Sequence, residues 1–243
     1  MKDFKVIEVK RSIFEDNNAD ADKLRAELKS EGTFLLNLMS SPGAGKTTTL
    51  KAVAGILPFE EGEIRINRVS VKEEPIACKK QTAYIPDNPD LYEFMTVIKY
   101  LNFIADIFEV PAQERKERIH KYAELFELTS DLAQPILTYS HGMKQKLAII
   151  SAWVHEPKLI IMDEPFVGLD PKAAHLLKEM MREFCDRGGA IFFSTHVLEV
   201  AEKLCDKIAI IKKGELIKAG TMEEVKGDTS LEEVFLELEE KTC

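Results

Sequence analysis

The feature that most constrains this chain is the stretch at residues 40–47, Ser-Ser-Pro-Gly-Ala-Gly-Lys-Thr. An apolar run at residues 34–39 precedes it, and a helix-like run follows. A strand, a glycine-rich turn ending in Lys-Thr and a helix together form a loop that cradles phosphate, although Ser40 stands where the usual pattern has glycine. The stretch therefore predicts an α/β fold built around a phosphate-binding loop.

The residue types in this loop indicate which residues bind phosphate and which bind Mg²⁺. Gly43 and Gly45 allow backbone turns that a side chain would block, so that N–H groups can point at phosphate oxygens. Lys46 is expected to reach the β and γ phosphates, and Thr47 to offer its hydroxyl to Mg²⁺. The alternative to a phosphate-binding loop is a glycine turn that precedes a helix by chance. The other residues that we assign to nucleotide binding are Ser41, Pro42, Ala44 and Thr48.

Composition narrows the possible partners and location. The 243 residues carry a net charge of −9, which argues against broad binding to nucleic acid or to anionic lipid. No apolar run approaches the roughly 20 residues of a membrane span, and no signal peptide opens the chain. Four scattered cysteines predict free thiols in a cytoplasmic protein, with no metal delivery.

Strand and helix patterns alternate along the chain. They predict an α/β P-loop fold with a mostly parallel central sheet, helices on both faces and an inserted helical lobe. We assign residues 1–86 and 157–243 to the nucleotide-binding core and residues 87–156 to the lobe. The predicted strands are 4–9, 34–39, 63–71, 81–85, 158–162, 190–195, 207–212 and 215–218. The predicted helices outside the lobe are 20–30, 46–57, 171–187 and 230–240.

Two strand ends carry further candidate residues. Asp163 and Glu164 follow a short apolar strand, where Asp163 could hold Mg²⁺ directly or through water and Glu164 could act as general base. The alternative is that Asp163 and Glu164 only cap the end of the strand and have no catalytic role. His196, in Ser-Thr-His after the next strand, could contact a γ-phosphate or could be structural.

Ser140 and Gly142 open a helix, either as an anion site or as an ordinary cap.

From Thr47 onward, this order of motifs closely resembles the ATP-binding subunits of ABC transporters. The resemblance implies that Ser140 and Gly142 contact the γ-phosphate of ATP bound to a second copy in a head-to-tail dimer. It places Asp170, in Gly-Leu-Asp, at that interface. It also implies that the surface near residues 86–100 docks on a membrane-spanning subunit.

The chain departs from the family pattern at two places. Tyr139, His141 and Met143 replace residues of the usual Leu-Ser-Gly-Gly-Gln signature. Asp87 stands where the family has a glutamine that senses Mg²⁺ and water, and a carboxylate can still reach the metal. We interpret both as variation within a subfamily of multidrug or antibiotic exporters.

Residues 1 to about 47 resemble a different P-loop family, the hydrogenase nickel incorporation protein. The ABC family opens with an antiparallel strand region that carries an adenine-stacking aromatic, whereas residues 16–31 here are acidic, alanine-rich and helical in pattern. We find no convincing adenine-stacking aromatic; Phe4 and Phe14 fit the core better. These mismatches motivate the hypothesis of an engineered or recombined chimera joined inside Gly-Ala-Gly-Lys-Thr-Thr. An Asn-Lys-x-Asp motif and a Cys/His nickel site are missing, so GTP selectivity and nickel delivery lack support.

The residues thus predict an ATP-binding protein with Mg²⁺-dependent ATP hydrolysis of the ABC motor type. The alternative is a folded chimeric scaffold that binds nucleotide weakly and does not hydrolyse it. A nickel-chaperone GTPase is a third hypothesis.

Overall fold

A computed structural model describes residues 7–10, 35–39 and 45–240 of the protein. The predicted helix at residues 20–30, together with Phe4, Phe14 and Cys243, lies outside the described residues. The described strands are β1 (Ile7–Lys10), β2 (Leu35–Met39), β3 (Glu63–Ile66), β4 (Val69–Ser70), β5 (Thr82–Ile85), β6 (Leu159–Asp163), β7 (Ala190–Ser194), β8 (Lys207–Lys212) and β9 (Glu215–Thr221).

Six of these strands form the central sheet in the order β5-β6-β7-β2-β8-β9. All neighbouring strands are parallel except β8 and β9, which form an antiparallel hairpin. The apolar residues of β6 alternate between two clusters, with Leu159 and Ile161 on one face and Ile160 and Met162 on the other. Both faces are therefore buried, as expected of a parallel sheet.

Helices cover the two faces. The described α-helices are α1 (Lys46–Val53), α2 (Pro75–Lys80), α3 (Val97–Ile107), α4 (Ala112–Leu125), α5 (His141–Val154), α6 (Pro171–Asp186), α7 (Leu198–Leu204), α8 (Met222–Lys226) and α9 (Leu231–Glu240). Helices α3, α4 and α5 follow one another between β5 and β6, as the predicted helical lobe requires. Trp153 of α5 packs edge-on against Phe184 of α6, with 6.1 Å between ring centroids, so the lobe shares the large core of the sheet.

In the N-terminal region, a strand was predicted at residues 4–9, and β1 occupies residues 7–10. Strand β1 pairs antiparallel with β3, and β3 pairs with β4 in a separate three-stranded sheet. One strand of this antiparallel sheet, β1, therefore precedes the phosphate loop. Its residues pair in register from Ile7 with Ile66 to Lys10 with Glu63.

Two predicted boundaries also need correction. Helix α1 ends at Val53 and not at residue 57, because Gly55 adopts a φ of 67° that terminates the helix. The predicted strand at residues 63–71 is a hairpin, since Asn67 and Arg68 both have positive φ. The C-terminal helix is confirmed as a docked element: in α9, Leu231 is buried and Val234, Phe235 and Leu238 pack against the core.

Among the described residues, no helix is both long and apolar enough to cross a bilayer. Cys78, Cys185 and Cys205 are buried free thiols. Within the same described residues, no cluster of three or more His, Cys, Asp or Glu side chains could hold a metal ion.

Candidate functional site

The candidate site lies where parallel strands end together. Leu38 of β2 pairs with Ser194 of β7, and Asp163 of β6 pairs with the same serine. Helix α1 starts at Lys46, soon after β2 ends. The parallel register therefore brings the phosphate-loop lysine and the carboxylates together, although they are more than 100 residues apart in sequence.

Asp163 is a buried carboxylate at the centre of the site, with 2% of its surface exposed. The Thr47 hydroxyl donates a hydrogen bond to its Oδ2 at 2.5 Å, and the Ser194 hydroxyl donates to its Oδ1. The two carboxylate oxygens therefore have different partners, which fixes the plane of the carboxylate. The sequence analysis did not assign Ser194 a role in orienting Asp163. Only the pairing of β6 with β7, which places these two residues side by side, reveals that role.

Glu164 follows the strand in an unusual backbone conformation. Its φ is 46°, in the left-handed region that non-glycine residues rarely adopt. Its backbone N–H donates to the Ser194 hydroxyl oxygen at 3.1 Å. Such backbone strain clusters at functional sites, and the residue that carries it here contacts both Lys46 and His196.

Glu164 joins the lysine and the histidine that the sequence singled out. Its Oε1 accepts from Lys46 Nζ at 3.2 Å, and both side chains are largely buried. Its Oε2 lies 2.9 Å from His196 Nδ1 and accepts from the His196 backbone N–H at 3.3 Å. The three predicted catalytic residues thus form one contiguous cluster.

The oxygen donors of Thr47 and Asp163 suit a hard divalent cation. Mg²⁺ prefers carboxylate and hydroxyl oxygens, and keeps waters and phosphate oxygens as its remaining ligands. These two side chains converge on one point beside the start of α1. The residues therefore fit the bound magnesium that the sequence predicts.

Gly45 has a conformational requirement at the helix start. It forms the N-terminal cap of α1 with a φ of 98°, which glycine adopts without strain. The predicted loop residues Ser41, Pro42, Gly43 and Ala44 lie outside the described residues. Thr48 is exposed in the first turn of α1.

Ser140, Gly142 and Asp170 belong to a second cluster. Ser140 caps α5 by accepting from the Met143 backbone N–H. A Cβ on Gly142 would lie 2.6 Å from the carbonyl oxygen of Gly168, so the start of α5 packs directly against the turn before Asp170. Within the residues that the structure describes, no hydrogen bond or ion pair joins this second cluster to Lys46 or Thr47.

An ion pair strengthens the second cluster. Lys146 Nζ lies 2.7 Å from Asp170 Oδ2, while Asp170 Oδ1 caps α6 by accepting from the Ala173 backbone N–H at 2.8 Å. The hydrogen bond from Lys146 holds the pKa of the Asp170 carboxyl below its usual range. Lys146 was missed from the sequence, because its partner is 24 residues away and comes close only through folding.

Asp87 is exposed at the end of β5 and accepts from the backbone N–H of Asn88 at 2.8 Å. Among described contacts, none joins it to Thr47 or Asp163. Burial, with the nearby charges of Asp163 and Asp87, raises the pKa of the Tyr84 phenol. The contact of Asp87 with a metal stays a prediction.

Comparisons with known proteins agree with this arrangement. Residues 26–167 match the protein family described as "ABC transporter". The ABC-type transporter ATP-binding protein EcsA of Bacillus subtilis is 34% identical over 213 residues, covering 86% of each chain.

Solved structures give the same result. A structure of an ATP-binding subunit of an ABC transporter is 36% identical, with a TM-score of 0.82 over 86% of this chain and 88% of that one. A dimeric ATP-binding cassette in a post-hydrolysis state, bound to ADP and phosphate, has a TM-score of 0.71 at 21% identity, over 79% of this chain and 87% of its own. That second likeness concerns the fold.

These findings bear on the proposed chimera. The family match begins at residue 26 and so runs through β2 and the phosphate loop, which sequence analysis had linked to the nickel incorporation protein. The pairing of β1 with β3 shows antiparallel strand structure where the sequence analysis had found a mismatch with the ABC family. A recombined origin, a nickel-chaperone segment and a nickel-chaperone GTPase therefore receive no support.

Proposed function

The chain belongs to the ABC transporter family of ATP-binding proteins, and from this premise we propose that the Lys46–Glu164–His196 cluster is the centre where it hydrolyses ATP. Members of this family are ATPases that bind ATP with Mg²⁺, and the chain is an ATP-binding motor domain. The observation that carries the proposal is the pairing of Glu164 with both Lys46 and His196.

Thr47 and Asp163 would hold Mg²⁺ through their oxygens. When bound, the ion neutralises charge on the phosphates. Ser194 keeps the Asp163 carboxylate oriented through its hydrogen bond, so the metal-binding oxygen does not have to reorganise. Gly45, Lys46 and Thr48 at the start of α1 would contribute N–H groups and the positive helix end to the phosphates.

Lys46 and Glu164 would exchange partners when nucleotide binds. A phosphate oxygen that accepts from Lys46 Nζ competes with Glu164 Oε1 for that ammonium. Glu164, released on that side, keeps its contact with His196 and can accept a proton from an attacking water. His196 would then lie beside the γ-phosphate, where it can stabilise the charge that develops there.

Glu164→Gln tests the role of this carboxylate. The amide keeps the size and hydrogen-bonding reach of the side chain but is a poor proton acceptor, so Mg–ATP should still bind while phosphate release falls at least ~100-fold. The matched control is Glu124→Gln, an exposed glutamate of α4, which should release phosphate at the wild-type rate. Unchanged phosphate release by Glu164→Gln would remove the residue from the role of base.

We infer that two copies complete the site. Ser140 and Gly142 at the start of α5, and Asp170 before α6, form an exposed or half-exposed cluster that makes no described contact with the Lys46 cluster of the same chain. A head-to-tail dimer would place the Ser140 cluster of one copy against ATP on the other. Support comes from the tight packing of Gly142 on Gly168, which gives this surface a fixed shape.

The membrane-spanning partner would dock near residues 86–100. This region exposes large apolar side chains, with Phe94 97% exposed and Tyr92 60% exposed. Backbone hydrogen bonds tie it to the segment that leads into α5: Leu137 donates to Glu93, and Ile136 donates to Met95. Exposed aromatic side chains on a braced segment are typical of an interface.

We also infer the division into a nucleotide-binding core of residues 1–86 and 157–243 and a lobe of residues 87–156. Support comes from the three successive helices between β5 and β6. A folded scaffold without productive hydrolysis is the competing function. It predicts nucleotide binding with no phosphate release at any protein concentration.

A further inference from the structure

The turn between β8 and β9 lies beside the phosphate-binding helix. It consists of Lys213 and Gly214, whose φ angles of 51° and 85° form a tight two-residue turn between the paired residues Lys212 and Glu215. A Cβ placed on Gly45 would lie 3.8 Å from the Cα of Gly214. The backbone of the turn is therefore next to the residue that caps α1.

Strand pairing explains this proximity. Strand β8 is the parallel neighbour of β2, and Met39, the last residue of β2, pairs with Ile210. Strand β8 continues to Lys212 before the chain turns, so it extends past the end of β2. The turn thus reaches the sheet edge where the phosphate loop leaves β2.

The turn lies on the opposite side of β2 from the hydrolytic cluster. The sheet order is β6, β7, β2, β8, with Glu164 and His196 after β6 and β7. A nucleotide bound across the end of β2 with its γ-phosphate at Glu164 would extend from the β7 side of β2 toward the β8 side. Its α-phosphate and ribose would then lie nearer to the turn after β8.

The charged side chains near this turn have different partners. Lys212 donates to the carbonyl of Leu238 at 2.5 Å, and Lys218 donates to the carbonyl of Val225 at 2.7 Å, so both are used to hold the C-terminal helices. Lys213 is exposed, and within residues 7–10, 35–39 and 45–240 its ammonium group has no described hydrogen bond or ion pair. Its long stem leaves the ammonium free to reach an anion beside Gly45.

We propose that Lys213 binds the nucleotide at its α-phosphate end, as a residue that contributes to affinity and takes no part in cleavage. The inference rests on nucleotide binding at the phosphate loop. Phosphate is a multiply charged acceptor, and a flexible lysine suits it as a point charge. Because the α-phosphate is common to ATP and ADP, Lys213 should contribute equally to the binding of both.

Calorimetric titration of the full chain with Mg–ATP and Mg–ADP tests this. Lys213→Ala should raise both Kd values by a similar factor, roughly 3- to 10-fold, with the effect shrinking at high ionic strength. Lys213→Arg should bind nearly as well as wild type because it keeps the charge. The matched control is Lys116→Ala, an exposed lysine of α4, which should leave both Kd values unchanged.

The outcomes separate the inference from the function on which it depends. Unchanged Kd values for both nucleotides in Lys213→Ala would overturn the inference. A loss confined to Mg–ATP would also overturn it, since that would place the lysine at the γ-phosphate. Failure of the wild-type chain to bind either nucleotide would reject the nucleotide site as a whole.

Discussion

His155 should make the protein sensitive to mild acid. It follows α5 and stacks on Phe108 with 3.7 Å between ring centroids, and its Nδ1 lies 3.4 Å from the carbonyl oxygen of Ser151. Its Nε2 is buried and, among the residues that the structure describes, has no hydrogen-bond partner of normal geometry. Burial lowers the pKa of this imidazole to about 4, so the folded protein holds it neutral at pH 7.

The sign of the pH effect follows from that shift. The unfolded chain, with a histidine pKa near 6.5, binds more protons between pH 6.5 and pH 4 than the folded protein does. The stabilising effect is complete above pH 6.5 and is lost as the pH falls toward the folded pKa. Between pH 7 and pH 5 this one residue should reduce the free energy of unfolding by about 2 kcal/mol.

Urea unfolding at several pH values measures this loss. His155→Gln cannot titrate, so its free energy of unfolding should fall about 2 kcal/mol less than that of wild type between pH 7 and pH 5. Other groups titrate equally in both proteins and cancel in the comparison. His120→Gln, on the exposed face of α4, should follow the wild type. Equal pH dependence of wild type and His155→Gln would refute the reasoning.

Two further substitutions test the second cluster and the docking surface. Gly142→Ala places a Cβ 2.6 Å from the carbonyl oxygen of Gly168. The substitution should lower the free energy of unfolding in urea by about 1–3 kcal/mol and should lower phosphate release. Wild-type values for both quantities would contradict the close packing of Gly142 on Gly168. Phe94→Asp should change stability by less than about 0.5 kcal/mol, because the ring is exposed, and should reduce the fraction of tagged protein that sediments with cell membranes. Undiminished sedimentation would argue against docking at this surface.

The parts of the fold that repeat a local pattern were predictable from sequence. The four buried apolar residues that begin β6 formed a recognisable run, and the spacing of Leu231, Val234, Phe235 and Leu238 predicted a docked helix. The end of α1 was misplaced, because Gly55 stops the helix before the proline does. Local backbone conformation of this kind is not visible in hydrophobic periodicity.

The site was predictable as a set of residues but not as a set of contacts. Lys46, Glu164 and His196 stood out by motif, yet their mutual pairing depends on the parallel register of β2, β6 and β7. Ser194 and Lys146 were missed for the same reason, since each meets its partner only across the folded chain. A strand near β1 was predicted from weak alternation at residues 4–9, but its antiparallel pairing with β3 was not, because a partner distant in the sequence leaves no local pattern.

Phosphate release from Mg–ATP, measured per protomer across a range of protein concentrations, tests the central claim most directly. A motor whose site is completed by a second copy should show release per protomer that rises steeply with concentration and then levels off. Glu164→Gln should abolish that rise while still binding Mg–ATP. Binding without phosphate release by the wild-type chain at every concentration would contradict the account and favour the scaffold.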